Sequence, residues 1–362
     1  MQAGFAWHEV GVNYRRVTSL YDRVRQQVRD IGNLERDRAN TPMTLNQPHG
    51  WRQWLALLGT TLLLVSCLRL PPPSPPAPPQ TAALAAMRAP RRQANASSPP
   101  SPELRISQYS LPRSTVHVVV IPAEVPQRFA IEPVVAPGLE PLEGWARQSN
   151  AIAALNGGFF DPANQQSTSY VIQQGEVTAD PRQNQRLVGN PSLAPYLEQI
   201  FNRSEFRHYR CEDESAYAIA PHRDPAPPGC QIETALGAGP QLLPELTLEA
   251  DAFLAVSNGT VIRDPLGYNR PNARSAVGIL ANGDVVWVMA AQQPEAPGSS
   301  GLSLLELAEF MRSLGAVAAM NLDGGSSAAI YANSQTVYGK VNEAGNPVVR
   351  PIKSMLVVRS LP

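Results

Sequence analysis

An aspartate that emerges from an apolar segment is the first feature of the sequence that could do chemistry. Residues 316–322 read AVAAMNL, Asp323 follows them directly, and residues 324–327 read GGSS. A carboxylate at the end of a buried strand costs free energy unless it is paired, hydrogen-bonded or bound to a metal. The pattern therefore predicts a functional carboxylate at Asp323. Asn321 is a candidate helper in holding a divalent cation (Ca²⁺ or Mg²⁺), because hard cations prefer oxygen ligands.

Three further polar segments that contain glycine or arginine adjoin apolar segments. Residues 156–161 (NGGFFD) offer paired glycines, an amide and a carboxylate, and residues 237–241 (GAGPQ) offer backbone amides. Residues 272–275 (NARS) place Arg274 at the start of a predicted strand, where a guanidinium suits the two acceptor oxygens of a phosphate or carboxylate. Taken alone, each glycine segment is also typical of a turn, and Arg274 is also typical of a surface ion pair. One segment by itself does not decide between these interpretations.

Composition and missing motifs exclude several other functions. The 30 Lys and Arg residues balance 30 Asp and Glu residues, so net charge predicts no nucleic acid or other polyanion as a partner. Only 17% of residues are charged and 36 are proline, which excludes a coiled coil and a highly charged disordered chain. Three cysteines and five unclustered histidines disfavour a zinc or iron–sulfur site. No G-x-S-x-G elbow and no P-loop occurs.

The elements that must position these segments read mostly as strands. One helix is predicted over 303–314, where Ser303 and Glu306 form a capping box and Gly315 follows the last turn. An Asn-Gly turn at 281–284 joins two apolar segments as a hairpin. The pattern predicts an α+β domain built on a single mixed, mostly antiparallel sheet with a few flanking helices. The predicted strands cover 116–121, 152–155, 275–280, 285–290, 316–322 and 355–358.

The residues before this domain are typical of a targeting or anchor segment followed by a linker. Residues 54–68 form an apolar segment between two arginines, short for a membrane span of about 20 residues. Its end, 64–67 (LVSC), resembles a bacterial lipobox, which predicts lipidation of Cys67; an uncleaved anchor helix is the alternative, and both place the body across a membrane. The predicted divisions are a charged amphipathic segment or misplaced start (1–42), a signal or anchor (43–68), a Pro-rich linker (69–103) and the functional domain (104–362).

Two cysteines remain after Cys67 is assigned to the signal. Cys211 and Cys230 flank a loop that is rich in proline. If the domain is exported, the compartment is oxidising, and a bridge closing this loop contributes roughly 3 kcal/mol in the chain-entropy account. We therefore predict a disulfide between them, with two unpaired buried thiols as the alternative.

The four segments together resemble a known family. NGGFFD, GAGPQLL, ARSAVGI and NLDGGSSA, in this order and spacing, are similar to the phosphodiester glycosidase domain, which removes N-acetylglucosamine from a phosphodiester in the enzyme that uncovers mannose 6-phosphate. Many exported bacterial proteins grouped with exopolysaccharide biosynthesis share it. The resemblance covers about 151–358. It implies a pocket lined by Asn156, Gly157, Gly158, Arg274, Asp323, Gly324 and Gly325. The resemblance also implies Ser275 and Ser326 as candidates to bind substrate, and the residue pattern adds Asp161, Gly239 and Asn321.

The chemistry that fits both the residues and the resemblance is hydrolysis of a sugar-1-phosphodiester at the anomeric carbon. Asp323, Arg274 and Asn156 are the predicted catalytic residues, with Asp323 stabilising the sugar cation or activating water. Arg274 and glycine amides of 157–158 or 324–325 would hold the phosphate. Asp161 or Glu233 is the candidate second carboxylate. No cofactor is required by this chemistry, and a divalent cation at Asp323 stays an open alternative.

The expected setting is a bacterial envelope. We expect a membrane-anchored protein outside the cytoplasm, in the periplasm or at the cell surface, that acts on a phosphoglycan or sugar phosphate. A polysaccharide- or wall-binding protein that kept the pocket without the chemistry is the alternative.

Overall fold

The computed structural model describes residues 103–123, 128–212 and 215–361. The predicted N-terminal segment, the signal or anchor with Cys67, and the Pro-rich linker as far as residue 102 lie outside the described residues. Within the described part, no helix is long and apolar enough to cross a membrane.

The described residues form strands with few helices. The helices are α1 (Leu142–Gln148), α2 (Gln185–Val188), α3 (Leu197–Ile200) and α4 (Leu304–Ser313). The strands are β1 (Arg105–Leu111), β2 (Ser114–Ile121), β3 (Phe129–Glu140), β4 (Ala153–Asn156), β5 (Phe160–Asp161), β6 (Gln166–Ser167), β7 (Val171–Gln173), β8 (Glu176–Ala179), β9 (Ser204–Cys211), β10 (Ser215–Pro221), β11 (Cys230–Gly237), β12 (Gln241–Leu243), β13 (Ala255–Ser257), β14 (Thr260–Arg263), β15 (Arg274–Leu280), β16 (Val285–Ala291), β17 (Ala316–Asn321), β18 (Ala329–Ala332), β19 (Gln335–Tyr338) and β20 (Ile352–Ser360).

These strands pair antiparallel but do not form one sheet. A six-stranded sheet has the order β1-β2-β16-β15-β17-β12, and two five-stranded sheets have the orders β10-β9-β11-β7-β8 and β19-β18-β4-β20-β3. Two hairpins, β5-β6 and β13-β14, stand apart. The antiparallel prediction is therefore confirmed in the described part of the chain, and the prediction of a single sheet is wrong.

The division into sheets follows from burial on both faces. Every residue of β4 and of β16 is buried, so each strand must be covered on two sides, which one half-exposed sheet cannot do. The largest core cluster accordingly draws from all three large sheets, with Trp287 from the six-stranded sheet, Leu356 and Leu155 from the sheet of β4, and Leu236 from the sheet of β11. The site described below lies where β4 and β17 end and β15 begins.

The local predictions from sequence match the structure. Helix α4 starts after Ser303, whose side chain accepts from the Glu306 amide while the Glu306 carboxylate accepts from the Ser303 amide. Gly315 follows the helix with a φ of 88°, a conformation that favours glycine. Strands β15 and β16 form the predicted hairpin. Cys211 and Cys230 are directly opposite on β9 and β11 and are joined by a disulfide, as predicted.

Candidate functional site

The side chain of Asn156 joins three of the four polar segments. It lies at the end of β4 and is fully buried. Its Nδ2 donates to the backbone oxygen of Asp323 at 2.5 Å, and its Oδ1 accepts from Ser275 Oγ at 2.6 Å and from the Ala329 amide at 3.1 Å. Segments separated by more than a hundred residues thus meet at one amide group. Oδ1 already accepts two hydrogen bonds, and Nδ2 donates one. Asn156 and the Ser275 hydroxyl therefore hold the site together.

Gly157 and Gly158 are required for close packing. The Gly157 amide donates to Ser354 O at 2.8 Å, and the Gly158 amide donates to Ser354 Oγ at 3.0 Å. A Cβ on Gly157 would lie 2.6 Å from Ser354 Oγ, and one on Gly158 would overlap the carbonyl oxygen of Gly237. Both amides are therefore engaged within the protein, which differs from the expected free donors for a phosphate.

The amides of the fourth segment are engaged as well. Gly324 donates to the Asp323 carboxylate, and Gly325, with a φ of 59°, donates to the backbone oxygen of Ala273 at 2.8 Å. Glycine amides thus shape the loop, and side chains are left as the groups that could contact an anion.

Asp323 lies at the start of this loop and is a half-buried residue. Its amide donates to Gly157 O at 3.0 Å, which fixes the backbone, while its carboxylate accepts from the Ser327 hydroxyl and the Gly324 amide. Burial raises the pKa of the Asp323 carboxyl to about 6, although the Ser327 hydrogen bond, the charge of Arg350 and the Gly324 amide all act to lower it. The group therefore changes charge near neutral pH.

Arg274 is buried and directed at backbone carbonyls. Its Nε donates to Leu302 O at 3.1 Å, and its Nη2 donates to the carbonyls of Leu266, Gly267 and Arg270 at 3.0–3.1 Å. Burial lowers the pKa of its guanidinium to about 10. Its stem lies against the fourth segment, since a Cβ on Gly324 would be 3.7 Å from Arg274 Cδ. The third and fourth segments are therefore adjacent, while Nε and Nη2 of the guanidinium hold two loops.

Arg350 is the cation beside Asp323, and sequence reasoning missed it. Its Nη1 donates to Ser326 Oγ at 2.9 Å, its guanidinium lies 5.2 Å from the centre of the Phe160 ring, and its charge lowers the pKa of Asp323. The residue sits in the loop before β20, is half-buried, and belongs to no motif. Nothing in its local sequence could have marked it.

The second and fourth segments meet at Gly239 and Asn321. The Gly239 amide donates to Asn321 O, and Asn321 Nδ2 donates to Gly239 O, both at 3.0 Å. Gly239 has a φ of 92°, which explains the glycine there. Asn321 Oδ1 is buried without a hydrogen-bond partner among the described residues. Such an atom in a native fold calls for a water or a ligand.

The two candidates for a second carboxylate are each paired with an arginine. Asp161 Oδ2 lies 2.7 Å from Arg186 Nε, and Glu233 Oε2 lies 3.1 Å from Arg210 Nη2. Burial acts to raise the pKa of Asp161, but hydrogen bonds from the Ala163 amide and from Arg186 hold it below its usual value. Both side chains therefore have partners outside the four segments.

The described residues contain no group of three or more His, Cys, Asp or Glu side chains that could hold a metal ion. A divalent cation at Asp323 stays a prediction.

The groups that the site presents indicate the kind of ligand it can bind. In the loops after β17 and before β20, an antiparallel β-rich domain presents one carboxyl whose pKa burial raises to about 6, two serine hydroxyls and a guanidinium. Such a set of groups suits an anionic ligand rich in hydroxyls.

The family is settled by its sequence model. The model of the phosphodiester glycosidase (NAGPA) family matches residues 149–359, more than half of the chain, and the chain belongs to this family. The search of curated proteins found no match to this chain.

One solved structure shows a related fold, and two others match with lower scores. The catalytic domain of zebrafish N-acetylglucosamine-1-phosphodiester α-N-acetylglucosaminidase, auto-inhibited by its pro-peptide, is 18% identical with a TM-score of 0.51, over 72% of this chain and 84% of that one. A hypothetical protein from Synechocystis is 17% identical with a TM-score of 0.47, over 72% of this chain and 64% of that one. An exported protein from Burkholderia pseudomallei is 15% identical with a TM-score of 0.45, over 69% and 74%. The chain thus spans less than two thirds of the Synechocystis protein.

Proposed function

We propose that the protein hydrolyses a sugar-1-phosphodiester at the bond between the anomeric carbon and the phosphate oxygen. The observation that carries the proposal is the Asp323 carboxyl, held by Ser327 and Gly324 and placed beside Arg350. Family membership and the phosphodiester substrate in the name of the zebrafish enzyme support the same chemistry.

Arg350 is the group best placed to bind the phosphate. Its guanidinium is half-buried and shares its Nη1 with the Ser326 hydroxyl, so a phosphate there would meet a cation and a hydroxyl together. Arg274, in contrast, spends its Nε and Nη2 on four carbonyls and acts as a positioning residue for the loops around 266–270 and 302.

Asp323 acts in its ionised form, as the counter-charge for the developing sugar cation. The bond from C1 to the phosphate oxygen breaks and its electron pair passes to that oxygen, while water forms a new bond to C1 and loses a proton. A carboxylate fixed beforehand in a site poor in water contributes several kcal/mol to such a step. Above a pH of about 6 the carboxyl is ionised and ready for this role.

The cellular setting forms part of the proposal. The apolar segment 54–68 and the lipobox-like residues 64–67 support a membrane-anchored domain outside the cytoplasm, and the Cys211–Cys230 disulfide fits an oxidising compartment. We place the substrate among envelope or exopolysaccharide phosphoglycans.

The test is turnover by the full chain, purified in mild detergent, on sugar phosphodiesters linked to p-nitrophenyl or nucleotide groups. We expect Asp323→Asn to lose turnover while Glu132→Gln, which removes a half-exposed carboxylate paired with Arg359, retains it. Equal turnover by wild type and Asp323→Asn would remove the assignment. Binding of phosphoglycans without product from the wild type would point to a binding protein instead.

A further inference from the structure

Two arginines outside the proposed site keep most of their hydrogen-bonding capacity free. Arg203 directly precedes β9, and Arg263 is the last residue of β14. Arg203 Nε donates to the backbone oxygen of Asp251 at 2.9 Å, and Arg263 Nε donates to that of Ala252 at 2.8 Å. A guanidinium carries further N–H donors on Nη1 and Nη2. In both side chains these donors have no hydrogen-bond partner among the described residues.

The charge of Arg203 is not neutralised by direct contact within the described chain. Arg203 is 9% exposed, and a cation that is nearly buried normally requires a paired anion. The carboxylate that acts on it electrostatically belongs to Asp251, and the two side chains form no ion pair. Asp251 Oδ2 instead accepts hydrogen bonds at 2.8–3.2 Å from Ser204 Oγ, Thr247 Oγ1 and the Gln241 amide. The Asp251 carboxylate is therefore held by other groups.

The two guanidinium groups are neighbours. They bind the carbonyl groups of consecutive residues, whose Cα atoms lie about 3.8 Å apart. Burial lowers the pKa of Arg203 to about 9, and the charge of Arg263 acts in the same direction, against the charge of Asp251. Arg203 therefore stays charged at neutral pH beside a second cation. Two like charges held together in a site of low exposure favour the binding of an anion.

Aromatic rings hold both guanidinium groups in place. Arg203 Cζ lies 3.9 Å from the centre of the Phe253 ring and 5.8 Å from that of the Phe159 ring. Arg263 Cζ lies 4.8 Å from the centre of the Tyr196 ring. A guanidinium that packs on a ring can still donate hydrogen bonds within its own plane. The rings thus restrict both side chains in advance, which lowers the entropy lost when a ligand binds.

The free nitrogens of the two arginines are open to solvent. Within the described residues, the arginine nitrogen that is both buried and without a hydrogen-bond partner is Arg359 Nε. The Nη atoms of Arg203 and Arg263 also lack a protein partner but are not buried in this way. A small anion can therefore approach them from solvent.

We propose that Arg203 and Arg263 together bind an oxyanion, a phosphate or a carboxylate group, at a site separate from Asp323. The planar N–H edge of each guanidinium matches the paired oxygens of such a group. A bound oxyanion supplies the negative charge that neither arginine receives by direct contact from the described chain. The inference does not rest on the proposed function, because binding requires no reaction.

The proposed oxyanion site contacts the first glycine segment, as the Asp323 site does. Phe159, which lies against Arg203, directly precedes Phe160, which lies against Arg350. Two sources offer an anion of this chemistry. One is free inorganic phosphate, and the other is a second anionic group on a glycan whose first phosphate lies at Arg350.

The test measures binding of inorganic phosphate to the full chain in mild detergent, by isothermal titration calorimetry at constant ionic strength. Every protein in this series carries Arg350→Gln, which removes the phosphate-binding group proposed beside Asp323. We expect this background protein to bind phosphate, and the added change Arg263→Gln to raise Kd by about 10-fold or more. Arg147→Gln is the matched control, because Arg147 forms an exposed ion pair with Glu143, and it should leave Kd unchanged.

Chemical modification of the wild type gives a measurement that does not depend on the folding of a variant. Phenylglyoxal reacts with accessible guanidinium groups, and peptide mass spectrometry reports each arginine separately. Arg263 is half-buried and Arg147 is exposed. We expect inorganic phosphate to slow the modification of Arg263 severalfold and to leave that of Arg147 unchanged.

Two glycan fragments distinguish the sources of the anion, in the chain with Arg350 intact. One fragment carries a single phosphodiester group, and the other carries two. If the ligand is a second anionic group of the glycan, Arg263→Gln weakens binding of the fragment with two groups and not of the other. If the ligand is free phosphate, Arg263→Gln leaves binding of both fragments unchanged and weakens only that of inorganic phosphate. Both results support an oxyanion site at the arginine pair.

Three results would overturn the inference. They are a background protein that binds no phosphate, a folded Arg263→Gln variant with an unchanged Kd, and equal modification of Arg263 with and without phosphate. Thermal unfolding without phosphate identifies a variant that fails to fold, and the modification of the wild type then decides. None of these measurements involves turnover, so failure of this inference leaves the proposed function standing, and loss of the proposed function leaves this inference standing.

Discussion

Residues 156–161 and 321–327 have the same ingredients and use them differently. Each follows a fully buried strand end and contains two adjacent glycines and one aspartate. In the first, Arg186 binds Asp161 directly at 2.7 Å and, with the Ala163 amide, holds its pKa below the usual value. In the second, Arg350 bonds to Ser326 and not to Asp323, and burial raises the pKa of that carboxyl to about 6.

The difference teaches that a motif does not fix its own chemistry. The glycine pair of the first segment packs against Ser354 and Gly237, so it builds the floor of the site. The second segment leaves a carboxyl that is not neutralised by a direct ion pair, which is the state a reactive group needs. The residues that surround each aspartate, Arg186 in one case and Arg350 in the other, come from elsewhere in the chain and determine its charge state.

The largest effect should come from Asp323→Asn. The variant keeps the size of the side chain but removes the charge that balances the sugar cation, so we expect kcat to fall by about 100- to 1,000-fold. Steady-state kinetics on a sugar phosphodiester measure it, with Glu132→Gln as the control. A fall of less than tenfold would mean that the second segment is as structural as the first.

Arg350→Gln should have the next largest effect. A hydrogen bond to a charged group contributes about 1.5–3 kcal/mol, so loss of the guanidinium should raise KM for a phosphodiester by roughly 10- to 100-fold with a smaller change in kcat. Arg147→Gln is the matched control, because Arg147 forms an exposed ion pair with Glu143 on α1. If Arg274→Gln raised KM while Arg350→Gln did not, the phosphate would belong to Arg274.

Gly158→Ala tests the structural half of the comparison. The added methyl would overlap the Gly237 carbonyl oxygen, which is backbone and cannot move freely, so the free energy of unfolding should fall by about 1–3 kcal/mol. Gly298→Ala is the control, since no atom lies within 4 Å of the position of its Cβ. Denaturant unfolding monitored by Trp fluorescence measures both, and equal midpoints would show that the glycine is not needed for packing.

The smallest expected effect is on how the free energy of unfolding changes with pH. The pKa of Asp323 is about 6 in the folded protein and about 3.9 in an unfolded chain, so between these values the folded state binds more protons. The free energy of unfolding therefore falls as pH rises from about 4 to 6, by about 1–2 kcal/mol when the partial exposure of the group is allowed for.

Asp323→Asn should remove that fall. The Tm of the variant minus the Tm of wild type should be several degrees larger at pH 8 than at pH 4. The variant thus gains stability at high pH although we expect its activity to be lost. Differential scanning calorimetry at the two pH values measures the shift, with Glu132→Gln as the reference. If burial of the Asp323 carboxyl costs no free energy on folding, the Tm difference between variant and wild type will be the same at both pH values.

Much of the fold was predictable because its signals are local. The hairpin of β15 and β16, the capping box of α4 and the glycine after it depend on neighbouring residues, and each is present. The division into three large sheets was not predictable, because strands buried on both faces carry no sign of which layer they join.

The site was predictable only in part, for the same reason. The family resemblance is confirmed, and the segments around Asn156, Arg274 and Asp323 do meet. Arg350 was missed because a single arginine in a loop has no motif.

The glycine pair of the site depends on Ser354, which lies on the last strand of the described fold. Both its backbone oxygen and its hydroxyl accept amides from the glycine pair nearly two hundred residues earlier. A nascent chain that has not yet delivered β20 therefore has no floor beneath Asp323, however complete its other sheets are. We therefore expect the proposed activity to require the final strand of the described fold, because without β20 the glycine pair loses both of its Ser354 acceptors.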